Sequence, residues 1–170
     1  CGLYPGVTVV AARPSVGKSM FEGEMVRPLL SAGHRVARAS LDMGVEPLVS
    51  RDLCALAGES LNKMRKGHMT ASDETKMLLT LEAMRDWKET VLEERTSDGI
   101  VARARAIKAN AGLDLLTVDY AQLVNVGENG RDNDNVRIAK AMAQFKEFSL
   151  STRTPVVILS QLSRGVEKEE

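Results

Sequence analysis

The residue types best suited to chemistry lie in one short segment that reads ARPSVGKS. It matches the phosphate-loop pattern G-x-x-x-x-G-K-[ST], except that Ala12 stands where the first glycine usually does. A loop of this kind, between a buried strand and a helix, points backbone N–H groups and the helix N-terminus at phosphates. Lys18 would add positive charge there, and the Ser19 hydroxyl would coordinate Mg²⁺. We therefore predict a binding site for ATP and Mg²⁺ formed by Ala12, Arg13, Pro14, Ser15, Val16, Gly17, Lys18 and Ser19.

Three polar side chains, each at the end of an apolar run, would complete this site. Asp119 closes the run LDLLTVD and would be a Walker B aspartate, the second protein ligand of Mg²⁺. Asp42, in ASLDM, would orient or deprotonate the attacking water, and Gln161, in ILSQL, would hydrogen-bond the γ-phosphate or that water. Catalytic roles are thus predicted for Asp42, Lys18 and Gln161. From the residues alone, a capping or solvated role at a strand end stays open for all three polar side chains.

The elements that must position these residues are short apolar runs of strand length. They occur at residues 7–12, 35–41, 113–118 and 155–159, with a weaker candidate at 91–95. The first run, VTVVAA, is continuous and β-branched, which is typical of a strand buried on both faces of a parallel sheet. Such sheets bind ligands at the C-terminal ends of their strands.

Segments with helical periodicity separate these runs, which indicates an α/β fold with a parallel sheet. Helices are predicted at residues 46–57, 61–65, 70–87, 100–111 and 138–148. Thr70 and Asp73 have the spacing of a capping box. In the helix after the first strand, Pro28 should end or kink the helix near Arg27. The polar stretch 127–135 is predicted to be an exposed loop.

Composition limits the class of protein. With 170 residues and 44% hydrophobic content, the chain is predicted to form a single domain, 1–170. The 23 basic and 23 acidic residues balance, so the global charge gives no reason to expect a polyanion or a membrane as partner. Two cysteines, Cys1 and Cys54, are too few for a disulfide framework, and no apolar run approaches the roughly 18 residues of a membrane span. We therefore expect a cytoplasmic protein. The first residue is Cys1, and residues 167–170 (EKEE) follow directly on a predicted strand region, so a partial domain is expected.

Four segments taken together resemble a known family. They read AARPSVGKS, ASLDM, LLTVDYAQL and VVILSQLSR. They are similar to the motifs ARPxxGK[ST], SLEM, DYLQL and SQLxR of DnaB-type replicative DNA helicases, in the same order and at similar spacing. Alanine at the head of the phosphate loop, followed by Arg-Pro, is a feature of that family, whereas other RecA-like ATPases usually keep the first glycine. The resemblance covers nearly the whole chain and implies a RecA-like P-loop NTPase fold, with a mainly parallel sheet flanked by helices.

The resemblance also implies roles for individual residues. Lys18 and Ser19 would bind the triphosphate and Mg²⁺, Asp119 would be the Walker B acid, and Gln161 would sense the γ-phosphate. Asp42 falls on the family's catalytic glutamate and is one methylene shorter, so its carboxylate would lie about 1 Å or more farther from the water. A displacement of that size can lower a rate on the order of 100-fold.

The partners implied by the resemblance are single-stranded DNA and, in the full-length protein, further copies of the chain in a homo-hexamer. Primase and a helicase loader are further candidates. In the family, two loops track DNA; here these are 127–135, with Arg131, and the stretch beginning at Arg164. Neither is rich in positive charge or aromatic residues, so an ordinary solvated loop is an equal alternative. The family's N-terminal domain, its C-terminal strands and the arginine finger from a neighbouring subunit would lie outside this chain.

Two alternative functions remain open. A RecA or RadA-type recombination ATPase shares the fold, although the alanine-led phosphate loop argues against it. A non-catalytic regulatory ATP-binding module would fit the shortened acid Asp42. The leading hypothesis is an ATP-dependent DNA helicase motor domain that couples hydrolysis to translocation on single-stranded DNA and duplex unwinding. In isolation it is expected to be weakly active or inactive.

Overall fold

The structure is a computed structural model that describes residues 3–13, 15–119 and 134–161. Within these residues, strands and helices alternate along most of the chain. In order, the elements are β1 Val7–Ala12, α1 Lys18–Ser31, β2 Arg35–Ser40, α2 Val45–Ala57, α3 Leu61–Arg65, α4 Ala71–Met84, β3 Lys88–Leu92, α5 Ser97–Ala111, β4 Leu115–Asp119, α6 Asp134–Thr152 and β5 Val156–Gln161.

The described strands form one 5-stranded sheet in the order β1-β5-β4-β2-β3. Every pairing in it is parallel. Because parallel strands run in the same direction, all of them end at the same edge of the sheet. This arrangement confirms the predicted α/β fold with a parallel sheet flanked by helices.

Apolar side chains cover both faces of this sheet. On one face, Ile100 of α5 and Phe145 of α6 are fully buried with Leu116 of β4. On the other face, Val26 of α1 packs against Leu115 of β4. Successive residues of a strand point to opposite faces, so Leu115 and Leu116 pack into different hydrophobic cores. The strand β4 is buried along its whole length and lies between the helical layers.

The predicted strands are all present, with small shifts of their ends. β1 has the predicted bounds, β2 and β5 lie within two residues of theirs, and β4 begins two residues later than predicted. The weak candidate at 91–95 is β3, which begins three residues earlier, at Lys88. The apolar pattern does not extend to the start of β3, because Lys88 and Glu89 are charged, and a strand at the edge of the described sheet tolerates charge.

One prediction about burial was wrong. β1 was expected to be buried on both faces, but Thr8 is exposed and Val9 keeps 46% of its surface accessible. The reason is that β1 lies at the edge of the described sheet and pairs there with β5 alone. The β-branched residues of β1 therefore correctly indicated a strand, but they did not indicate that the strand is completely buried.

Of the two effects predicted for Pro28, an end of α1 near Arg27 was wrong, because the helix continues through Pro28 to Ser31. The buried Leu30 lies in this last turn and packs into the same core as Val26. The turn closes with a hydrogen bond from the Ala32 N–H to the Pro28 carbonyl. Burial of the last turn thus outweighs the hydrogen bond that proline cannot donate.

The helical predictions otherwise hold within a few residues. Thr70 and Asp73 form the predicted capping box at the start of α4. α3 has the predicted bounds, and α6 begins at Asp134, inside the stretch 127–135 that was predicted to be a loop. In the parts of the chain that the structure describes, no helix combines the length and the apolar character that a membrane span requires.

Candidate functional site

The strand register brings the predicted site residues to one edge of the sheet. In the β1–β5 pair, Ala12 lies opposite Gln161, and in the β2–β4 pair, Ser40 lies opposite Asp119. Asp42 follows β2 by two residues. The phosphate loop and the ends of β2, β4 and β5 therefore meet, although they are far apart in sequence.

A cleft of about 320 Å³ lies at this edge. Its lining brings together most of the predicted side chains and adds two that were not predicted, Met20 and Arg51. The lining residues are Ser15, Gly17, Lys18, Ser19, Met20, Asp42, Arg51, Asp119 and Gln161. Of the other predicted residues, Ala12 ends β1 and Arg13 and Val16 are exposed without lining the cleft. Pro14, Arg131 and Arg164 lie outside the described residues.

The phosphate loop adopts a conformation suited to binding anions. Ser15 and Gly17 have left-handed backbones, with φ of 63° and 95°. Gly17 is the N-cap of α1, so no side chain caps the first N–H groups of the helix. Uncapped N–H groups at a helix N-terminus favour a bound phosphate. A non-glycine residue at positive φ, such as Ser15, is uncommon, and such strain is often found at ligand sites.

Ser19 and Asp119 are in direct contact at the bottom of this cleft. The Ser19 hydroxyl donates a hydrogen bond of 2.6 Å to the Asp119 carboxylate. Asp119 keeps only 2% of its surface accessible, and this burial raises its pKa, while the Ser19 hydrogen bond and the charge of Lys18 act in the opposite direction. A nearby cation stabilises the ionised form of a carboxylate that burial otherwise disfavours. The hydroxyl and carboxylate oxygens are the donor types that Mg²⁺ prefers.

No cluster of three or more His, Cys, Asp or Glu side chains that could hold a metal is found among the described residues. Mg²⁺ commonly takes one or two protein ligands and completes its shell with phosphate oxygens and water, and the hydroxyl of Ser19 and the carboxylate of Asp119 are ligands of this kind. The residues present therefore fit a Mg²⁺–triphosphate complex.

Arg51, on α2, is a candidate that the sequence did not reveal. Asp42 and Arg51 both line the cleft, and both are exposed in the chain as described. The sequence predicted the helix but not which of its faces turns toward the strand ends. The only available signal was that α2 begins directly after the segment with Asp42, which places its first turns near the site.

Comparisons with known proteins identify the family. A model of the family described as DnaB-like helicase C terminal domain matches residues 1–170. The chain belongs to this family. The resemblance predicted from the four motifs is thereby confirmed.

Curated relatives of this DnaB-like domain are replicative helicases. The replicative DNA helicase DnaC of Bacillus subtilis (strain 168) is 32% identical over 166 residues, covering 95% of this chain and 36% of that protein. The replicative DNA helicase DnaB of Geobacillus stearothermophilus is 31% identical over 166 residues, with the same coverage. A probable plasmid replicative DNA helicase of Chlamydia psittaci is 29% identical over 162 residues, 94% of this chain and 35% of that protein. The DnaB-like domain thus spans little more than a third of these relatives.

Solved structures match the fold of the DnaB-like domain. A DnaB-like replicative helicase, described with its interactions with primase, aligns with a TM-score of 0.87 and 23% identity, over 97% of this chain and 41% of that one. A second solved structure, described as an ATPase domain, aligns with a TM-score of 0.87 and 22% identity, over 98% of this chain and 60% of that one. These likenesses confirm the RecA-like fold.

Proposed function

We propose that this DnaB-like domain binds ATP with Mg²⁺ and hydrolyses it. The observation that carries the proposal is the contact of Ser19 with Asp119 in a cleft that Lys18 also lines. A Mg²⁺ ion bound with the triphosphate would be held by the Ser19 hydroxyl, from the phosphate loop, and the Asp119 carboxylate, from β4. A lysine beside them would neutralise phosphate charge. Lys18 and Ser19 are neighbours in the phosphate loop, whereas Asp119 lies 100 residues beyond Ser19 in the chain, so their convergence depends on the fold.

Each side chain of the cleft has a proposed task. Lys18 binds the phosphates, and Ser19 and Asp119 hold the Mg²⁺, which neutralises charge on the phosphates. Asp42 orients or deprotonates the attacking water, and Gln161 hydrogen-bonds the γ-phosphate or that water. Arg51, which also lines the cleft, supplies a further positive charge for the triphosphate.

In the full-length protein, hydrolysis would drive translocation on single-stranded DNA and duplex unwinding. This part of the proposal rests on family membership and on relatives that are replicative DNA helicases. A homo-hexamer is the expected assembly, with primase and a helicase loader as further partners. Arg131 and Arg164, the proposed DNA contacts, lie outside the described residues.

The test is the ATPase turnover of the full-length protein, measured with and without single-stranded DNA, in the wild type and in Lys18→Ala. The control is Lys66→Ala, which removes an exposed lysine at the end of α3, away from the cleft. We expect turnover that DNA stimulates, that Lys18→Ala abolishes and that Lys66→Ala leaves unchanged. Tight ATP binding without DNA-stimulated turnover would instead identify a regulatory ATP-binding module. Absence of Mg²⁺-dependent nucleotide binding in the wild type would overturn the whole proposal.

A further inference from the structure

A group of charged side chains is buried directly behind the proposed Mg²⁺ site. This buried charge cluster consists of Glu22, Arg27, Arg38, Asp52 and Glu89, which come from α1, β2, α2 and β3. The side chains of Glu22 and Arg38 keep only 2% and 1% of their surface accessible. None of these residues lines the proposed nucleotide cleft. The proposed chemistry therefore leaves this cluster unexplained.

Glu22 lies at the centre of the contacts between α1 and the sheet. Its two carboxylate oxygens accept hydrogen bonds from the Arg38 guanidinium, at 3.3 Å from Nε and 3.0 Å from Nη2. One of these oxygens also accepts a hydrogen bond from the Thr117 hydroxyl of β4. Thr117 is fully buried, and Arg38 lies opposite it in the β2–β4 register. The carboxylate is thus held by two neighbouring strands at once.

This contact lies beside the contact between the two proposed Mg²⁺ ligands. Glu22 follows Ser19 by three residues on α1, and residues three apart lie on the same side of a helix. Thr117 precedes Asp119 by two residues on β4, so the two side chains point to the same face of the sheet. The same helix and strand are therefore joined by two adjacent hydrogen bonds, Ser19 to Asp119 and Thr117 to Glu22.

Packing alone does not require charge at this place. One turn farther along α1, the apolar Val26 packs against Leu115 of the same strand. Buried ion pairs often contribute no more to stability than well-packed apolar side chains of similar volume. Hydrogen bonds to a carboxylate are directional, however, so they restrict how α1 can slide or rotate against β4, which apolar contacts do less. A fixed register matters at a site where a displacement of about 1 Å lowers a rate on the order of 100-fold.

We propose that Glu22 is a positioning residue for the Mg²⁺ site, which acts through its hydrogen bond with Thr117 to hold Ser19 and Asp119 at the separation that the ion requires. This inference rests on the proposed function. It assigns Glu22, the member of the buried charge cluster that contacts β4, a task in binding Mg²⁺ in addition to any contribution to stability.

The experiment uses two substitutions at Thr117 that separate the hydroxyl from the methyl group. Thr117→Val keeps the shape and removes the hydroxyl, whereas Thr117→Ser keeps the hydroxyl and removes the methyl group. Neither substitution changes the charge near Asp119. The full-length wild type and both variants are titrated with Mg²⁺ at a fixed concentration of a fluorescent ATP analogue, and their melting temperatures are measured alongside.

We expect Thr117→Val to raise the half-saturating Mg²⁺ concentration about threefold to tenfold, which is less than the full value of one hydrogen bond to a charged group, because the contact acts on the ion indirectly. Thr117→Ser should keep the wild-type Mg²⁺ dependence even if its melting temperature falls. An unchanged half-saturating concentration in Thr117→Val, or an equal rise in both variants, would overturn the inference, because packing would then explain the effect. A wild type that binds the analogue without any Mg²⁺ dependence would overturn the proposed function and this inference together.

If Thr117→Val does not fold, a second pair of variants tests whether Glu22 positions the Mg²⁺ site. Glu22→Gln weakens the contact with Arg38 and Thr117, whereas Glu89→Gln removes a carboxylate that contacts the same Arg38 but not β4. We expect the half-saturating Mg²⁺ concentration to rise in Glu22→Gln and to stay within about twofold of wild type in Glu89→Gln. Equal values in the two variants would overturn the inference.

Discussion

Ser19 Oγ and Asp119 Oδ2 lie 2.6 Å apart, although 100 residues separate them in the chain. Ser19 belongs to the first turn of α1 and Asp119 is the last residue of β4. Their contact closes the bottom of the cleft and brings together a hydroxyl and a buried carboxylate. The proposed nucleotide site depends on this contact more than on any other.

Asp119→Asn should separate function from stability. Burial raises the pKa of Asp119, so the ionised carboxylate is disfavoured in the folded protein, and its contribution to stability falls as the pH rises through that raised pKa. We expect the variant without nucleotide to melt at the same or a higher temperature at neutral pH. Its Mg²⁺-dependent nucleotide affinity should fall about tenfold or more, because a charged ligand is lost. A clear drop in melting temperature would contradict this account.

Asp42→Glu should increase turnover. The longer side chain would carry the carboxylate about 1 Å closer to the γ-phosphate, and a change of that size can alter a rate by up to about 100-fold. The measurement is the DNA-stimulated ATPase rate at saturating ATP, with Asp42→Asn as the matched control. Asp42→Asn should lower the rate further without weakening ATP binding. If all three proteins turn over at the same rate, Asp42 does not act on the water.

Arg51→Ala should weaken ATP binding by roughly tenfold, because a guanidinium on the wall of the cleft would no longer face the triphosphate. Arg51→Lys should restore part of the affinity. Arg85→Ala is the control, since the Arg85 side chain is 72% accessible and lies away from the cleft. Equal ATP affinity in Arg51→Ala and Arg85→Ala would show that Arg51 does not contribute to ATP binding.

Asp52→Ala should destabilise the fold strongly. Its two carboxylate oxygens accept hydrogen bonds from Arg27 at 2.9 Å and from Arg38 at 2.6 Å, and all three side chains are buried. Removing one partner from a buried ion pair costs about 3–5 kcal/mol. Glu24→Ala provides the comparison, because Glu24 contacts the same Arg27 but is 69% accessible, and it should cost less than about 1 kcal/mol. The free energies of unfolding in urea give both values.

Asp73 should contribute to the loss of stability in acid. A hydrogen bond from Lys63 contributes most to holding the pKa of Asp73 well below its usual range. Hydrogen bonds from the side chain and backbone of Thr70 lower this pKa further. Ionised Asp73 therefore contributes to the stability of the fold at pH values above its unfolded-state pKa of about 3.9. This contribution is lost as the pH falls from that value toward the lowered folded-state pKa. Asp73→Asn should melt at a lower temperature than wild type at pH 7, and the two melting temperatures should converge as the pH falls from about 4.

The control for Asp73 is Asp86→Asn, which changes an exposed aspartate outside the capping box. Its melting temperature should follow that of the wild type across the pH range. A constant difference between wild type and Asp73→Asn at every pH would show that the capping box does not depend on the ionised carboxylate.

The sequence alone was sufficient for features whose cause is local. The phosphate loop is contiguous, and the glycine at its end permits the left-handed backbone found at Gly17. The capping box of Thr70 and Asp73 spans four residues of the chain. Strand ends mark the C-terminal edge of a parallel sheet whatever the order of its strands, so Asp42, Asp119 and Gln161 could be assigned to one edge before their neighbours were known.

Only the tertiary structure decided features that depend on contacts between distant segments. Arg38 in the sequence RVARAS gave no sign that it is buried among carboxylates from three other elements. The orientation of Arg51 toward the cleft depends on how α2 packs, and the partial exposure of β1 depends on its edge position in the strand order. Side-chain periodicity determines which residues share a face of one helix or strand. Packing between elements determines which residues that face contacts. The buried charge cluster depends on such packing, so it could not be predicted from the sequence.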